Sequence, residues 1–486
     1  MKKGLAEGIV YQIFPDRFFT GNGVSVNDKL EKGLFPEGAV IKNWGEKIAS
    51  DNSAHNEFYG GDIPGITEKL DYIQSLGADI VYITPFFISP SNHKYDTLDH
   101  RKIDPSMGSM DDFKNLLSEA HKRNMKILID LALNHVSNKH PYFLNAISDK
   151  NSQYVDYFTF RNYPDEYDCW QGHKSLPEIN LQYEPAMEEF ITGENSVLRY
   201  WLRTGVDGIR LDSANDLGLS VADAALRVGR EENPDAVIIG EIFCFASSWT
   251  KRLDAVQSYY AYHSIFSLLK NEISSVQFMK NILRIYEDYG ITKSLQSLNM
   301  IASHDTPRAL SMLDNDRNRL FIAITLMFTL PGVPMIYYGE ENGMCGMFDP
   351  QNRAPMAWDL DNCDIEIHNL YRKLIELRKS RKEIQCGKLI DLTGWLENGV
   401  IAFIRHTGNP SQFSLTVINP ANERKDFRLF VPYPHFFSEL ELEDIFSNMK
   451  IRIFVSSVEI ELEPMQCAVF IPVDGCIGNY SFFKRT

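Results

Sequence analysis

Short runs of aliphatic, β-branched and aromatic residues recur along most of the chain. Between them, segments such as Ile66–Leu76 and Met110–Asn124 place apolar residues at helical spacing. The apolar runs predict eight strands: Gly8–Phe14, Asp79–Thr84, Lys126–Leu131, Val206–Leu211, Val237–Gly240, Ala255–Ala261, Leu298–Ala302 and Val333–Tyr338. Eight alternating strand and helix units predict an α/β fold, a closed (β/α)8 TIM barrel.

Two segments interrupt this alternation. Residues 136–178 separate the third strand from the fourth and are rich in aromatic residues, and a connection of this length predicts an inserted loop domain, domain B. After residue 386, short alternating runs are separated by turn residues, which predicts a C-terminal antiparallel β-sandwich domain. The predicted domains are the barrel over 1–135 and 179–386, domain B over 136–178, and the β-sandwich over 387–486.

Composition narrows the classes of partner. The 486 residues carry a net charge of −16, which argues against a nucleic acid or an anionic membrane as partner. The seven cysteines include no CxxC pair, so neither a disulfide framework nor a structural zinc site is predicted. The sequence has no long apolar span and no apolar leader segment, and we therefore expect a cytoplasmic protein.

Polar residues occur where four of the predicted strands end. They are Asp130, Asn134 and His135 at the third strand, Arg210 and Asp212 at the fourth, Glu241 at the fifth, and His304 and Asp305 at the seventh. In a βα barrel the carboxyl ends of all strands meet at one mouth, where catalytic residues lie. We therefore expect these side chains to converge on one site.

Two kinds of chemistry fit such a cluster. Carboxylates and histidines can hold a catalytic divalent metal, and two carboxyl groups can cleave a glycosidic bond as nucleophile and general acid. Arg210 favours the second, because a neighbouring guanidinium lowers the pKa of Asp212 and would compete with a metal ion. Glu241 is followed by Ile242 and Phe243, an apolar setting that predicts a raised pKa and a bound proton.

Aromatic residues near the predicted loop ends add to the second interpretation, because aromatic faces stack on the apolar faces of sugar rings. The candidates are Tyr59, Phe86, Phe87, Tyr95, Trp170 and Phe243.

Ten motifs, in this order, carry a family resemblance. They are YQIFPDRF (11–18), GGDIPGI (60–66), SNHKYDT (91–97), DLALNH (130–135), LPEIN (176–180), GIRLD (208–212), GEIF (240–243), SHDTPR (303–308), GVPMIYYGEE (332–341) and DPQNRAPMAWD (349–359). With them the chain resembles the α-amylase family of retaining glycoside hydrolases, and within it the neopullulanase, cyclomaltodextrinase and maltogenic amylase group. The resemblance implies hydrolysis of α-1,4-glucosidic bonds in short maltooligosaccharides or cyclodextrins, with some α-1,6 cleavage or transglycosylation.

The resemblance also implies a role for each matching residue. Asp212 would be the nucleophile, Glu241 the general acid and base, and Asp305 the residue that stabilises the transition state. The substrate would be bound by Tyr95, His135, Arg210, His304, Asp349 and Arg353, with Phe243 on the acceptor side. Asp130 and Asn134 would hold the end of the third strand rather than touch the bond.

A Ca²⁺ site is implied as well. Its ligands would be the side chains of Asn22, Asn27, Asp28 and Asp62 and the carbonyl of Gly60. These oxygen ligands suit a hard cation. Val24 stands where the family often has a further acidic ligand.

Two further departures from the group affect the expected function. The group usually has an N-terminal β-domain that forms its dimer, whereas here the first predicted strand begins at Gly8, which leaves a monomer and a homodimer both open. After the acid, Phe243, Cys244 and Phe245 replace the usual Trp, His and Asp, which predicts a more apolar acceptor side.

Other functions remain open at this point. An α-glucosidase or a glucanotransferase acting on other small α-glucosides would use the same residues. A non-catalytic α-glucan-binding protein and a metal-dependent barrel enzyme are the alternatives of a different class.

Overall fold

A computed structural model describes residues 5–359, 363–396, 399–409, 411–432 and 440–473. Within these residues the predicted fold class is confirmed, because eight parallel strands close into a barrel and antiparallel sheets follow it. The barrel strands are Val10–Ile13, Ile80–Ile83, Lys126–Leu131, Gly208–Leu211, Val237–Ile242, Ala255–Ser258, Leu298–Met300 and Val333–Tyr337. The last residues of the predicted sandwich, 474–486 with Cys476, lie outside the described part.

The strands follow one another around the barrel in chain order, and the eighth pairs with the first. Register places Arg210 of the fourth strand beside Asp130 of the third. On the other side, Leu211 pairs with Gly240 of the fifth strand, so that Asp212 and Glu241 each follow that pair directly. Strand pairing therefore brings the predicted catalytic residues to one edge of the barrel.

Helices cover the outside of the barrel and line its connections. Over the described residues they are Val26–Glu31, Ile63–Glu68, Leu70–Leu76, Met110–Lys122, Pro141–Ser148, Glu184–Met187, Val197–Arg203, Ala214–Leu217, Leu219–Glu232, Tyr259–Leu269, Ser275–Asp288, Ile291–Gln296, Ala309–Met312, Arg317–Thr329, Ile365–Ser380 and Lys382–Cys386. Several strand bounds differ from the prediction by one or two residues, and the sixth strand differs most: it ends at Ser258, and Tyr259 already begins a helix. Apolar residues continue from the strand into the helix, so the sequence pattern does not mark the boundary between them.

The inserted segment has its own small elements. After the helix Pro141–Ser148, the strands Phe160–Asn162 and Glu166–Tyr167 form an antiparallel hairpin. An isolated bridge between His135 and Glu178 joins the two ends of the segment. The segment thus returns to the barrel mouth where it left it.

The C-terminal region consists of antiparallel strands in two sheets that share an apolar core, which confirms the predicted sandwich. In sheet order, the larger sheet contains Lys388–Asp391, Ile401–His406, Phe413–Ile418, Cys467–Pro472, Glu441–Asp444 and Lys450–Arg452, and the smaller one Lys425–Phe430 and Ser457–Leu462. Phe403, Ile418 and Val469 of the larger sheet also belong to the core of the barrel. The two domains therefore pack through buried apolar side chains.

Six cysteines lie in the described part of the chain, and all six are free. Over the same residues, no helix has both the length and the apolar character that crossing a bilayer requires.

Candidate active site

The guanidinium of Arg210 lies at the centre of the carboxyl cluster. Its Nη1 donates to both carboxylate oxygens of Asp130, at 3.0 and 2.9 Å, and to Oδ1 of Asp212 at 2.7 Å. Its Nη2 lies 2.6 Å from Glu241 Oε1 and 3.9 Å from Asp305 Oδ2. Nη2 is not aligned for a hydrogen bond in either contact. The acidic residues predicted from four strand ends thus converge on one buried cation, and the contact of Arg210 with Glu241 is one that the sequence did not predict.

Ser213 connects the two carboxyl groups that follow the fourth and fifth strands. Its backbone N–H donates to Glu241 Oε2 at 2.9 Å, and its hydroxyl donates to Asp212 Oδ2 at 3.3 Å. The backbone of Ser213 is left-handed, with φ +46° and ψ 40°. This conformation is unfavourable for a residue with a side chain and is concentrated at functional sites. Here it turns the N–H of Ser213 toward Glu241.

Tyr259 is a further contact of Glu241. Its hydroxyl donates to Glu241 Oε1 at 3.1 Å, and the side chain is fully buried. The ring centroid of Phe243 lies 4.3 Å from that of Tyr259. Sequence reasoning missed Tyr259 because the predicted sixth strand extended across it, whereas the residue is the first of a helix at the barrel mouth.

Tyr95 and His304 form a parallel pair beside the cluster. Their ring centroids are 5.4 Å apart with an interplanar angle of 4°, and a hydrogen bond joins Tyr95 Oη and His304 Nε2. The Tyr95 hydroxyl also donates to Asp130 Oδ2 at 2.8 Å. His304 Nε2 lies 3.1 Å from Asp305 Oδ2, and Gln12 Nε2 lies 2.9 Å from His304 Nδ1. Contacts on both ring nitrogens fix the orientation of His304.

Arg353 connects Asp349 to the carboxyl cluster. It donates to Asp349 Oδ2 at 3.0 Å, to Asp305 Oδ1 at 3.4 Å, and to the carbonyl of His304 at 2.9 Å. His55 Nε2 lies 3.1 Å from Asp349 Oδ2. Burial acts to raise the pKa of Asp349, but the hydrogen bond from His55 and the charge of Arg353 lower it to about 2. Asp349 is therefore a carboxylate at neutral pH.

His135 presents polar atoms that no described protein group satisfies. Both of its ring nitrogens are buried without a hydrogen-bond partner in the described part of the chain, and the same holds for Nε1 of Trp170. The two rings have centroids 5.6 Å apart. Burial lowers the pKa of His135 to about 3, so the ring is neutral. Buried polar groups nearly always have partners, so His135 and Trp170 are candidates to bind the hydroxyl groups of a ligand.

The clustered carboxyl groups have raised pKa values. Burial raises the pKa of Asp212 well above its usual value and also raises the pKa of Glu241, while the charge of Arg210 acts against burial in both. The predicted lowering of the Asp212 pKa is therefore wrong in net direction, because burial outweighs Arg210. Burial raises the pKa of Asp305 too, and a hydrogen bond with Glu241 acts to lower it.

The predicted aromatic residues divide into two groups. Tyr59, Phe86 and Phe87 are fully buried in the core, so their prediction as sugar-stacking residues is wrong. Tyr95 and Trp170 are partly exposed, and Phe243 is 44% exposed beside the acid. A run of β-branched and aromatic residues predicts a strand, but it does not show which of the aromatic side chains are exposed to solvent.

The residues predicted to bind Ca²⁺ do not form one coordination shell. The side chains of Asn22, Asn27 and Asp28 are exposed. The carbonyl of Gly60 and the carboxylate of Asp62 instead accept hydrogen bonds from the ammonium of Lys29. The residues present do not fit the predicted ion.

The chain is similar to known proteins in both sequence and structure. Residues 12–364 match the model of the family described as "Alpha amylase, catalytic domain". The chain is 33% identical over 411 residues to a cyclomaltodextrinase of Bacillus sp, covering 82% of this chain and 70% of that protein. It is 31% identical over 437 residues to neopullulanase 2 of Thermoactinomyces vulgaris, covering 88% and 71%. The solved structure of the type III pullulan hydrolase from Thermococcus kodakarensis matches it with a TM-score of 0.81 at 30% identity, covering 96% of this chain and 82% of that chain.

Proposed function

Because the chain belongs to the α-amylase family of glycoside hydrolases, we propose that it hydrolyses α-1,4-glucosidic bonds of short maltooligosaccharides or cyclodextrins. Some α-1,6 cleavage or transglycosylation accompanies this activity. The names of the relatives, a cyclomaltodextrinase and a pullulan hydrolase, support this class of substrate. The observation that carries the proposal is the buried cluster in which Arg210 contacts Asp212, Glu241 and Asp305 at the barrel mouth.

Hydrogen-bond geometry supports different roles for the two central carboxyl groups. Asp212 receives an aligned, charge-assisted hydrogen bond from Arg210 at 2.7 Å, and such bonds are about twice as strong as neutral ones. Glu241 receives its hydrogen bonds from neutral donors, the N–H of Ser213 and the hydroxyl of Tyr259. Burial raises the pKa of both carboxyl groups, but of the two only Asp212 receives an aligned hydrogen bond from Arg210, so we assign the negative charge to Asp212 and the proton to Glu241.

The reaction follows from these protonation states. Asp212 attacks the anomeric carbon while Glu241 protonates the leaving oxygen, which gives a covalent glycosyl-enzyme intermediate. Glu241, now a carboxylate, then takes a proton from water as the water attacks the same carbon, which breaks the bond to Asp212 and releases its carboxylate. Two displacements at one carbon retain its configuration.

Asp305 is suited to bind the distorted sugar. Its side chain is 26% exposed, more than those of Asp212 and Glu241, and it is held by His304 and Arg353. Its carboxylate can accept hydrogen bonds from sugar hydroxyls, which strengthen as positive charge develops on the ring. We assign it to transition-state stabilisation.

The remaining predicted residues surround the same sugar. His135 and Trp170 supply unsatisfied polar atoms for hydroxyl groups, and the partly exposed ring of Tyr95 supplies a stacking face. Asp349 and Arg353 bound the far side of the sugar. On the acceptor side, the exposed ring of Phe243 provides an apolar surface.

The test is a product profile with maltotriose, cyclodextrin, pullulan and sucrose, each supplied alone. Proton NMR of the first product should show the α-anomer. Asp212→Asn should reduce turnover nearly to background, and Asp216→Asn, an exposed neighbour on the following helix, should not. Turnover in Asp212→Asn close to that of Asp216→Asn would refute the nucleophile assignment.

The same profile separates the alternatives. Cleavage of sucrose in place of the glucans would favour an α-glucosidase, and accumulation of longer glucans would favour a transferase. A maltooligosaccharide that stays intact while bound would favour a glucan-binding protein. The oligomeric state and the cytoplasmic location stay predictions, and light scattering tests the first.

A further inference from the structure

The side chain of Lys29 is buried in an oxygen-lined pocket beside the first barrel strand. Its ammonium donates to the carbonyl of Gly60 at 2.8 Å, to Asp62 Oδ2 at 2.6 Å, and to the carbonyl of Ser106 at 2.7 Å. The side chains of Lys29 and Asp62 are each 5% exposed. An ammonium has three donors, and each of them has an acceptor here.

The pocket is built around this one cation. Asp62 Oδ2 faces Lys29, while Oδ1 accepts from the backbone N–H groups of Gly21 and Gly65, at 2.9 and 2.7 Å. Gly60 has φ +82°, which directs its carbonyl toward the ammonium, and a Cβ at this position would lie 3.0 Å from Val26. Glycine is the residue that adopts this conformation without strain.

The other residues predicted to bind calcium have different partners. The Asp28 carboxylate accepts from the N–H and the hydroxyl of Ser25, both at 2.7 Å, and completes the capping box of the helix Val26–Glu31. Asn22 and Asn27 are exposed. Over the described residues, no group of three or more His, Cys, Asp and Glu side chains is placed to hold a metal. Ca²⁺ takes six to eight oxygen ligands, and this arrangement does not gather them.

We propose that Lys29 replaces a calcium ion as the cation that holds the first loop to the barrel. Its helix, Val26–Glu31, is joined through one ammonium to the turn at Gly60–Asp62 and to the loop at Ser106. The negative charge of Asp62 is then neutralised by the ammonium of Lys29 rather than by a bound ion. Folding and thermal stability are therefore independent of calcium, whatever the substrate of the enzyme.

The first test uses the unmodified protein. We expect the same Tm in excess EDTA and in millimolar CaCl2, and no heat of binding when CaCl2 is titrated into EDTA-treated protein in a calorimeter. A Tm that falls in EDTA and is restored by CaCl2, together with stoichiometric calcium binding, overturns the proposal. This result does not depend on any variant that must fold.

A pair of variants tests the role of Lys29 directly. Lys29→Met keeps the length of the side chain and removes the ammonium, which leaves Asp62 buried without its cation, a strongly destabilising change. Lys32→Met makes the same change at an exposed position just after the same helix. We expect Lys29→Met to lower Tm by several degrees and Lys32→Met to leave it unchanged. Equal Tm values for the two variants would overturn the proposal.

Discussion

The hydroxyl of Tyr259 is expected to position Glu241 and to stabilise its carboxylate, and Tyr259→Phe tests this. The substitution removes one oxygen and keeps the ring, so the packing of Tyr259 against Phe243 and Tyr262 is preserved. Glu241 keeps its hydrogen bond from Ser213 and its contact with Arg210. The variant therefore removes the hydrogen bond at Glu241 Oε1, together with the contact of the same hydroxyl with Ser303.

The size of the effect follows from the geometry. The 3.1 Å hydrogen bond is made to a buried carboxyl group that becomes charged when it gives its proton to the leaving oxygen. A hydrogen bond to a charged group contributes about 1.5 kcal/mol at the low end of the measured range. That corresponds to about a tenfold decrease in kcat, with a small change in KM because the contact is not to substrate.

The pH profile gives a second, independent readout. The hydrogen bond from Tyr259 acts to lower the pKa of Glu241, so its removal raises that pKa further. The general acid is active when protonated, and the alkaline limb of the kcat profile should therefore move to higher pH in Tyr259→Phe.

A matched control is available at the next residue. The hydroxyl of Tyr260 contacts Asn281 Oδ1 at 3.5 Å and does not touch Glu241. Steady-state kinetics with maltotriose, measured across pH, compare Tyr260→Phe with Tyr259→Phe. The reasoning is refuted if the two variants share the kcat and the alkaline limb of the wild type.

Two further predictions concern groups at and near the site. His135→Leu should lower kcat/KM by about tenfold or more. It should not lower Tm, because neither ring nitrogen has a hydrogen-bond partner among the described residues. A fall in Tm in a thermal melt would contradict this prediction. Burial raises the pKa of Glu340 from 4.5 to about 7. Between these two pH values Glu340 binds a proton in the folded protein but not in the unfolded chain. The stability that this proton contributes is therefore lost as pH rises from 4.5 to 7. Glu340→Gln should therefore show a smaller fall in Tm from pH 4.5 to 7 than the wild type, and parallel curves would contradict it.

The fold was predictable because its signals are local. Each barrel strand is a short apolar run between helical patterns, and Lys126–Leu131 was predicted with its observed bounds. Boundaries failed where the apolar pattern crosses from strand into helix, as it does at Tyr259. Tyr259 was therefore missing from the predicted site, although it contacts Glu241.

The site was predictable in its residues but less so in its electrostatics. From the positions of Arg210 and Asp212 in the sequence, a contact between these two residues was predicted. Strand pairing also brings Arg210 into contact with Glu241 and Asp130. Burial, which raises the pKa values of the carboxyl groups, depends on the whole barrel and cannot be read from adjacent residues. Likewise, the sequence did not show that the ammonium of Lys29 binds Gly60 and Asp62, two of the residues predicted to bind calcium.

Asp212 and Glu241 are delivered by neighbouring strands, immediately after the paired residues Leu211 and Gly240. The backbone hydrogen bonds between these two strands therefore set the spacing of Asp212 and Glu241. Phe243 and Trp170, by contrast, lie in connections beyond the strand ends. We therefore expect substitutions in these connections to change which sugar is bound, while the strands keep Asp212 and Glu241 in place.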